Sequence, residues 1–176
     1  MVSIVFASIF LSLIGFLILF VSFSMLTSML AGAPLVNTPP AIYSPTLKLA
    51  QLKPGQTFVE IGCGAGNLLR EAGKTGATVR GIDLSPLAYI LARLNLRHTK
   101  NVSVVLGNVF DQSIEDADVV YCYLLPQIMK KLEPKFAAEL KPGAKVISYA
   151  FQLPTKQPTT IIPRNGSLGR IFLYTY

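Results

Sequence analysis

A chain of 176 residues holds one domain and a short appendage, not two domains. Hydrophobic residues make up 51% of it, high for a soluble protein, and no Asp, Glu, Lys, Arg or His precedes Lys48, so the net charge of +7 belongs wholly to residues 48–176. Two cysteines, Cys63 and Cys122, and one histidine, His98, supply too few ligands at the wrong spacings for a zinc centre, so no metal is expected. The cysteines read as small packing residues in a reducing compartment, and His98 as a structural residue closing a helix.

The first element is "SIVFASIFLSLIGFLILFVSFSMLTSML", continuously apolar apart from small hydroxyl residues. At 1.5 Å rise, about 20 residues cross a ~30 Å hydrocarbon core, so this run spans as one helix. Its hydroxyls are tolerable because they bond carbonyls one turn back. A cleaved signal peptide is the competing reading, with "AGA" at 31–33 as the cleavage site. The length of the run and the lack of a basic n-region favour a retained anchor. All sixteen Lys and Arg lie C-terminal to the run. The positive-inside bias then turns the remainder toward the cytoplasm, or toward the matrix in a mitochondrion, where an anionic leaflet attracts a basic domain. The charges are scattered singly, with no basic run or RNA-binding signature, which does not favour nucleic acid.

After the anchor, taken as 1–33, comes a linker and pre-domain segment over 34–55. In it Thr38 is placed to cap a helix opened by Pro39 or Pro40 and bent at Pro45. From 56 to 176 apolar runs alternate with helical patterns. Strands are expected at "TFVEIG", "TVRGID", "VSVVLG", "ADVVYCYL" and "AKVISYAF", with helices over 66–74, 85–98 and 126–140. The strands are continuous apolar runs, as in a parallel sheet covered on both faces. Ser85 and Pro86 start a helix whose Leu87, Ile90, Leu91 and Leu94 form an apolar stripe. The tail "FQLPTKQPTTIIPRNGSLGRIFLYTY" has no helical stretch and reads as a loop, a strand at 159–163, a turn at "RNGS" and a last strand.

The chemistry concentrates in "TFVEIGCGAGN". A strand, a glycine turn and a helix place backbone N–H groups at the carboxyl edge of a parallel sheet, where such folds bind ligands. The dinucleotide fingerprint puts its third glycine where Asn67 stands. The glycines are instead Gly62, Gly64 and Gly66, behind Glu60, and E-x-G-x-G-x-G resembles motif I of class I S-adenosylmethionine-dependent methyltransferases. A carboxylate there suits a ligand that carries an ammonium and a sulfonium and no phosphate. Glu60 is assigned to its amino-acid end, with the backbone of Cys63 and Asn67 completing the turn. About twenty residues on, Asp83 can accept from both ribose hydroxyls, and Leu84 can cover one adenine face. At the end of the third strand Asn108 stands where the family often has an acidic residue for the adenine amino group. Its oxygen can still accept, and the Val109 backbone can serve the ring edge, with Asp111 the alternative for this role.

The region from Thr38 onward is similar to the membrane-anchored lysine methyltransferases that modify the ATP synthase c-subunit and the adenine nucleotide translocase, together with their prokaryotic relatives. The resemblance rests on the single hydrophobic span, "VNTPP", motif I, "YLLP" with "LEPKF" after it, and "SYAFQLPTKQPTT". The family commonly shows D-x-G-x-G-D-G where this chain has Glu60 and Ala65, and an aromatic where it has Lys156. What the resemblance implies is a Rossmann-like sheet, mostly parallel with an antiparallel C-terminal strand, and methyl transfer from S-adenosylmethionine to a lysine amine. An acceptor channel is expected in place of a catalytic triad, since positioning and partial desolvation carry such a reaction. Its walls are assigned to Tyr121, Tyr123, Leu124, Leu125 and Pro126 from strand four, and to Phe151, Gln152 and Pro154 after strand five. Thr38 and Pro39 stand at the entrance. Core packing is the alternative for the tyrosines. A membrane-protein acceptor fits the anchor; a lipid, quinone or other small-molecule acceptor fits it as well, and a non-enzymatic binding module is the third reading.

Overall fold

The computed structural model describes residues 2–30 and 36–176. The "AGA" at 31–33, and with it the candidate cleavage site and the anchor–linker boundary, lies outside the described residues. Helix α1 runs over Val2–Leu30. Within it Val5–Thr27 is long and apolar enough to cross a membrane, and most of its large apolar side chains are exposed. Ser24 bonds it to the domain. The Ser24 hydroxyl lies 2.7 Å from that of Ser85 and accepts the Leu87 amide at 3.1 Å.

A short 3-10 turn, Pro40–Ile42, leads into α2, Tyr43–Ala50. Pro39 stands at the N-cap of that turn without a side-chain bond. The Thr38 hydroxyl, expected to cap a helix, instead meets the Tyr121 hydroxyl at 3.0 Å. Pro45 falls in the first turn of α2, where its missing N–H costs nothing. The Lys145 ammonium closes the other end of α2, donating to the carbonyls of Leu49 and Ala50 at 3.1 and 3.2 Å.

The domain is a seven-stranded sheet with helices on both faces. Its strands are β1 Thr57–Ile61, β2 Thr78–Asp83, β3 Val102–Leu106, β4 Val119–Cys122, β5 Lys145–Tyr149, β6 Thr160–Ile162 and β7 Ile171–Thr175. They lie in the order β3-β2-β1-β4-β5-β7-β6. The first five pair in parallel, and β7 is antiparallel to both β5 and β6. The remaining helices are α3 Asn67–Gly73, α4 Pro86–Asn95 and α5 Pro126–Glu139. The strand period of two divides the core. Phe58, Tyr121 and Ile147 meet α3 residues Leu68, Leu69 and Ala72 on one face. Val59, Val120 and Val146 meet α5 residues Met129, Leu132 and Phe136 on the other.

Because β7 opposes both neighbours, β6 runs parallel to β5, yet only residues 150–159 join them. Ten extended residues reach roughly 33 Å, enough to return along a five-residue strand without a helix. That crossover is pinned to α5: the Glu133 carboxylate accepts the amides of Thr155 and Lys156 at 3.1 and 2.6 Å. Leu153 is buried, and its amide donates to the Tyr174 hydroxyl at 2.9 Å. "LEPKF" and "LPT" are thus two halves of one contact.

The α4 stripe lies away from the sheet. Ala88 and Ala92 face the sheet, while Ile90, Leu91 and Leu94 are 43%, 39% and 56% exposed. Small residues let α4 lie close on the sheet, so its branched residues are left outside.

Candidate active site

Strand order reverses between β1 and β4, so the loops leaving those strands diverge at the carboxyl edge, the place such sheets offer a ligand. After β1, Gly62, Gly64 and Gly66 take φ values of 75°, 53° and 74°. A Cβ on Gly62 would stand 2.9 Å from Leu124 Cδ2, and one on Gly66 2.8 Å from Leu96 Cδ1. The left-handed backbone conformation therefore favours glycine at these positions, and any side chain there would also have to displace a leucine methyl. Asn95 of α4 braces the turn, its amide donating to the Ala65 carbonyl at 2.9 Å and to Asn67 Oδ1 at 3.0 Å. The Cys63 thiol is buried against Gly81, and burial pushes its pKa up, which makes it a poor nucleophile.

Two carboxylates flank the turn. Glu60 is 4% exposed, and its Oε2 has no hydrogen-bond partner among the described residues. Burial and then the charge of Asp83 hold its pKa well above the usual carboxylate range. Asp83 accepts the Gly64 amide on Oδ2 at 2.8 Å and the Ser85 amide on Oδ1 at 2.9 Å. Burial raises its pKa too, against the pull of those amides. A site with two carboxyls and no cation beside the orphaned oxygen is built to receive a positive charge. The Asp83 carboxylate keeps lone-pair capacity for a further donor.

Val36, Asn37 and Thr38 line a narrow cavity with Glu60, Gly62 and Gly64, so the pre-domain segment roofs the turn. Asn37 Oδ1 stands 3.2 Å from where a Gly64 Cβ would be. The Thr38–Tyr121 bond fixes this roof to β4, and Tyr121 lies in register beside Glu60 of β1. Tyr121 is fully buried, and Leu124 nearly so. At the far edge Asn108 accepts the Phe110 amide at 3.1 Å, closing a local turn, and Val109 is buried. Leu84 is 39% exposed beside Asp83.

A second cavity of about 510 Å³ opens beyond β4 and β5. Pro126, Phe151 and Gln152 line it, together with Ala150, Arg164, Ser167 and Arg170, for which the sequence carries no functional signal. The arginines arrive from the β6–β7 hairpin, whose position depends on strand order and leaves no local pattern. Ala150 holds a φ of 69°, unusual for a residue with a side chain, where β5 turns into the crossover. Tyr123 packs edge-on to Tyr149 at 4.7 Å and stacks with Phe151 at 6.5 Å. The structure thus gathers Tyr123, Pro126, Phe151 and Gln152 in one region. Leu125 is half-buried just before α5, and Pro154 is exposed on the crossover. Among the described residues, no group of three His, Cys, Asp or Glu is placed to hold a metal.

Residues 60–160, more than half of the chain, match the family model of the ANTKMT methyltransferase domain. The chain belongs to that family. A protein-lysine N-methyltransferase of Saccharolobus islandicus is 29% identical over 148 residues, covering 80% of this chain and 92% of its own length. The adenine nucleotide translocase lysine N-methyltransferase of Mus musculus is 32% identical over 120 residues, 66% of this chain. The match spans about half, 52%, of the mouse protein. Among solved structures, an RNA methyltransferase from Salinibacter ruber in complex with S-adenosyl-L-homocysteine superposes with a TM-score of 0.75. It is 29% identical, over 80% of this chain and 93% of that one. This member of the ANTKMT family is therefore an S-adenosylmethionine-dependent methyltransferase with protein-lysine methyltransferase relatives. The cofactor fits the residues present: among the described residues Glu60 Oε2 has no hydrogen-bond partner, and Gly62 and Gly64 leave backbone accessible beside Asp83.

Proposed function

We propose that this chain is a membrane-anchored protein-lysine methyltransferase whose acceptor belongs to a membrane-associated protein. In this reading 1–33 is the anchor, 34–55 the linker and roof, and 56–176 the catalytic domain facing the cytoplasm or matrix. The observation that carries it is the seam between Ser24 and Ser85: an apolar helix is bonded to the very loop that leaves Asp83, so anchor and cofactor edge form one unit.

S-adenosylmethionine, when bound, supplies an electrophilic methyl group on a sulfonium. Glu60 stands for the ammonium and Asp83 for the ribose hydroxyls, with Gly62, Gly64 and Gly66 giving close approach. Leu84, Asn108 and Val109 are proposed for the adenine; since Asn108 Oδ1 already accepts an amide, its contribution is a second lone pair. The acceptor enters by the 510 Å³ cavity past Pro126, Phe151 and Gln152. Tyr123 and Phe151 offer π faces to the methylated ammonium of the product. Arg164 and Arg170 at the cavity disfavour a second cation, so they help the arriving lysine shed its proton. Tyr121 and Leu124 support the wall from beneath.

Membranes incubated with the full chain and S-adenosylmethionine labelled on its methyl group test this. Label on a protein, lost on Asp83→Ala, is expected. Label confined to the lipid extract or to RNA would refute it and identify the other acceptor class.

A further inference from the structure

We propose that α4 is an interfacial membrane-binding helix, its outer stripe seated among the headgroups and upper acyl chains of an anionic bilayer beside α1. The proposal rests on the reading of α1 as a membrane anchor and adds that the cofactor edge is held against the membrane surface.

The stripe itself is the first observation. Leu87, Ile90, Leu91 and Leu94 fall within roughly 100° of the helix circumference at 3.6 residues per turn. The exposure of Ile90, Leu91 and Leu94 is not a matter of loose packing, because the opposite face, Ala88 and Ala92, is completely buried on the sheet. A helix with one face on its core and a second, larger apolar face outside has two partners, one of them beyond the domain.

The second observation is continuity. Ser24 lies inside the candidate span Val5–Thr27, one turn from its end, and it holds α4 by the Ser85 hydroxyl and the Leu87 amide. If Ser24 sits where the span leaves the hydrocarbon, the first turn of α4 sits at the same depth. The leucine stripe begins there, at Leu87.

Charge is the third. From Leu84 to Phe110 there is no Asp or Glu, while Arg93, Arg97 and Lys100 are all exposed. An apolar stripe bordered by arginines and free of carboxylates matches the boundary of a bilayer that carries anionic lipid. A soluble protein partner gives no reason for this placement next to α1.

The test uses the full chain in vesicles of phosphatidylcholine with and without phosphatidylglycerol. Single labels are placed by Leu91→Cys, Leu94→Cys, Phe16→Cys and Glu115→Cys, each carrying an environment-sensitive fluorophore. The native Cys63 and Cys122 are buried and resist labelling. Labels at 91 and 94 are expected to shift to shorter wavelength, to lose emission to a lipid-borne quencher, and to be shielded from aqueous iodide. The shielding should weaken without phosphatidylglycerol, and the label at 115 should respond to iodide alone. If 91 and 94 behave like 115 while 16 is quenched from the lipid, the interfacial role falls and the anchor stands. Shielding of 91 and 94 from both quenchers means a protein covers the stripe, which also overturns the proposal. A label at 16 open to iodide removes the anchor reading and this inference with it.

Discussion

The hydroxyls of Thr38 and Tyr121 lie 3.0 Å apart, joining the segment that roofs the glycine turn to the centre of the sheet. Both residues are buried, so neither hydroxyl has water to fall back on. Tyr121→Phe keeps the ring and removes the bond, and should lower stability by about 1 kcal/mol. Thr38→Val should cost a similar amount, and the double variant little more than either alone. Denaturant unfolding of all three variants measures the coupling. Fully additive losses would mean that the roof is held by other contacts.

Asp83 both braces the turn through Gly64 and faces the proposed ribose position. Asp83→Ala should weaken S-adenosylhomocysteine binding by roughly 1–3 kcal/mol through lost charge-assisted hydrogen bonds. Calorimetry reads this directly. Asp83→Asn should fall between wild type and alanine, since its one oxygen still accepts.

Glu60, proposed for the cofactor's ammonium, should make cofactor binding pH-dependent. Its folded pKa is raised, so the ligand-free protein binds more protons folded than unfolded. Stability without ligand should therefore decline as pH rises from the ordinary carboxylate range through the raised folded pKa. A ligand bearing an ammonium favours the ionised carboxylate, so its affinity should rise over that same window. The thermal shift caused by S-adenosylhomocysteine, tracked by scanning fluorimetry over a pH series, should grow with pH in wild type and flatten in Glu60→Gln.

Glu133 tests the crossover separately from the cofactor. It accepts amides from Thr155 and Lys156, holding the loop that carries Phe151 and Gln152. Glu133→Ala should raise the KM for the acceptor while leaving S-adenosylhomocysteine affinity within about twofold, a change of roughly 0.4 kcal/mol. Steady-state kinetics with binding calorimetry separates the two effects.

Most of the sheet was legible because its strands are short apolar runs closed by glycine and aspartate. "TVRGID" coincides with β2, and the other strands fall within the expected runs. Glu60, the glycines and Asp83 were legible for the same reason, since a βα turn fixes their places locally. What the sequence hid was tertiary. The α4 stripe has the period of a core face, yet the alanines between its leucines set the approach to the sheet. Thr38 has the chemistry of a helix cap, yet a buried tyrosine from a distant strand takes its hydroxyl. Arg164 and Arg170 reach the second cavity only because β7 inserts between β5 and β6.

Methylation of a lysine in a membrane-associated protein leaves a mark that can be read in whole cells. Peptide mass spectrometry of membrane proteins, from cells making the wild-type chain and from cells making Asp83→Ala, tests it most directly. Methyl-sized mass increments on lysine that are present with the first and missing with the second are expected. Identical lysine spectra in the two, with methylated lipid or RNA appearing only with the wild type, would contradict it.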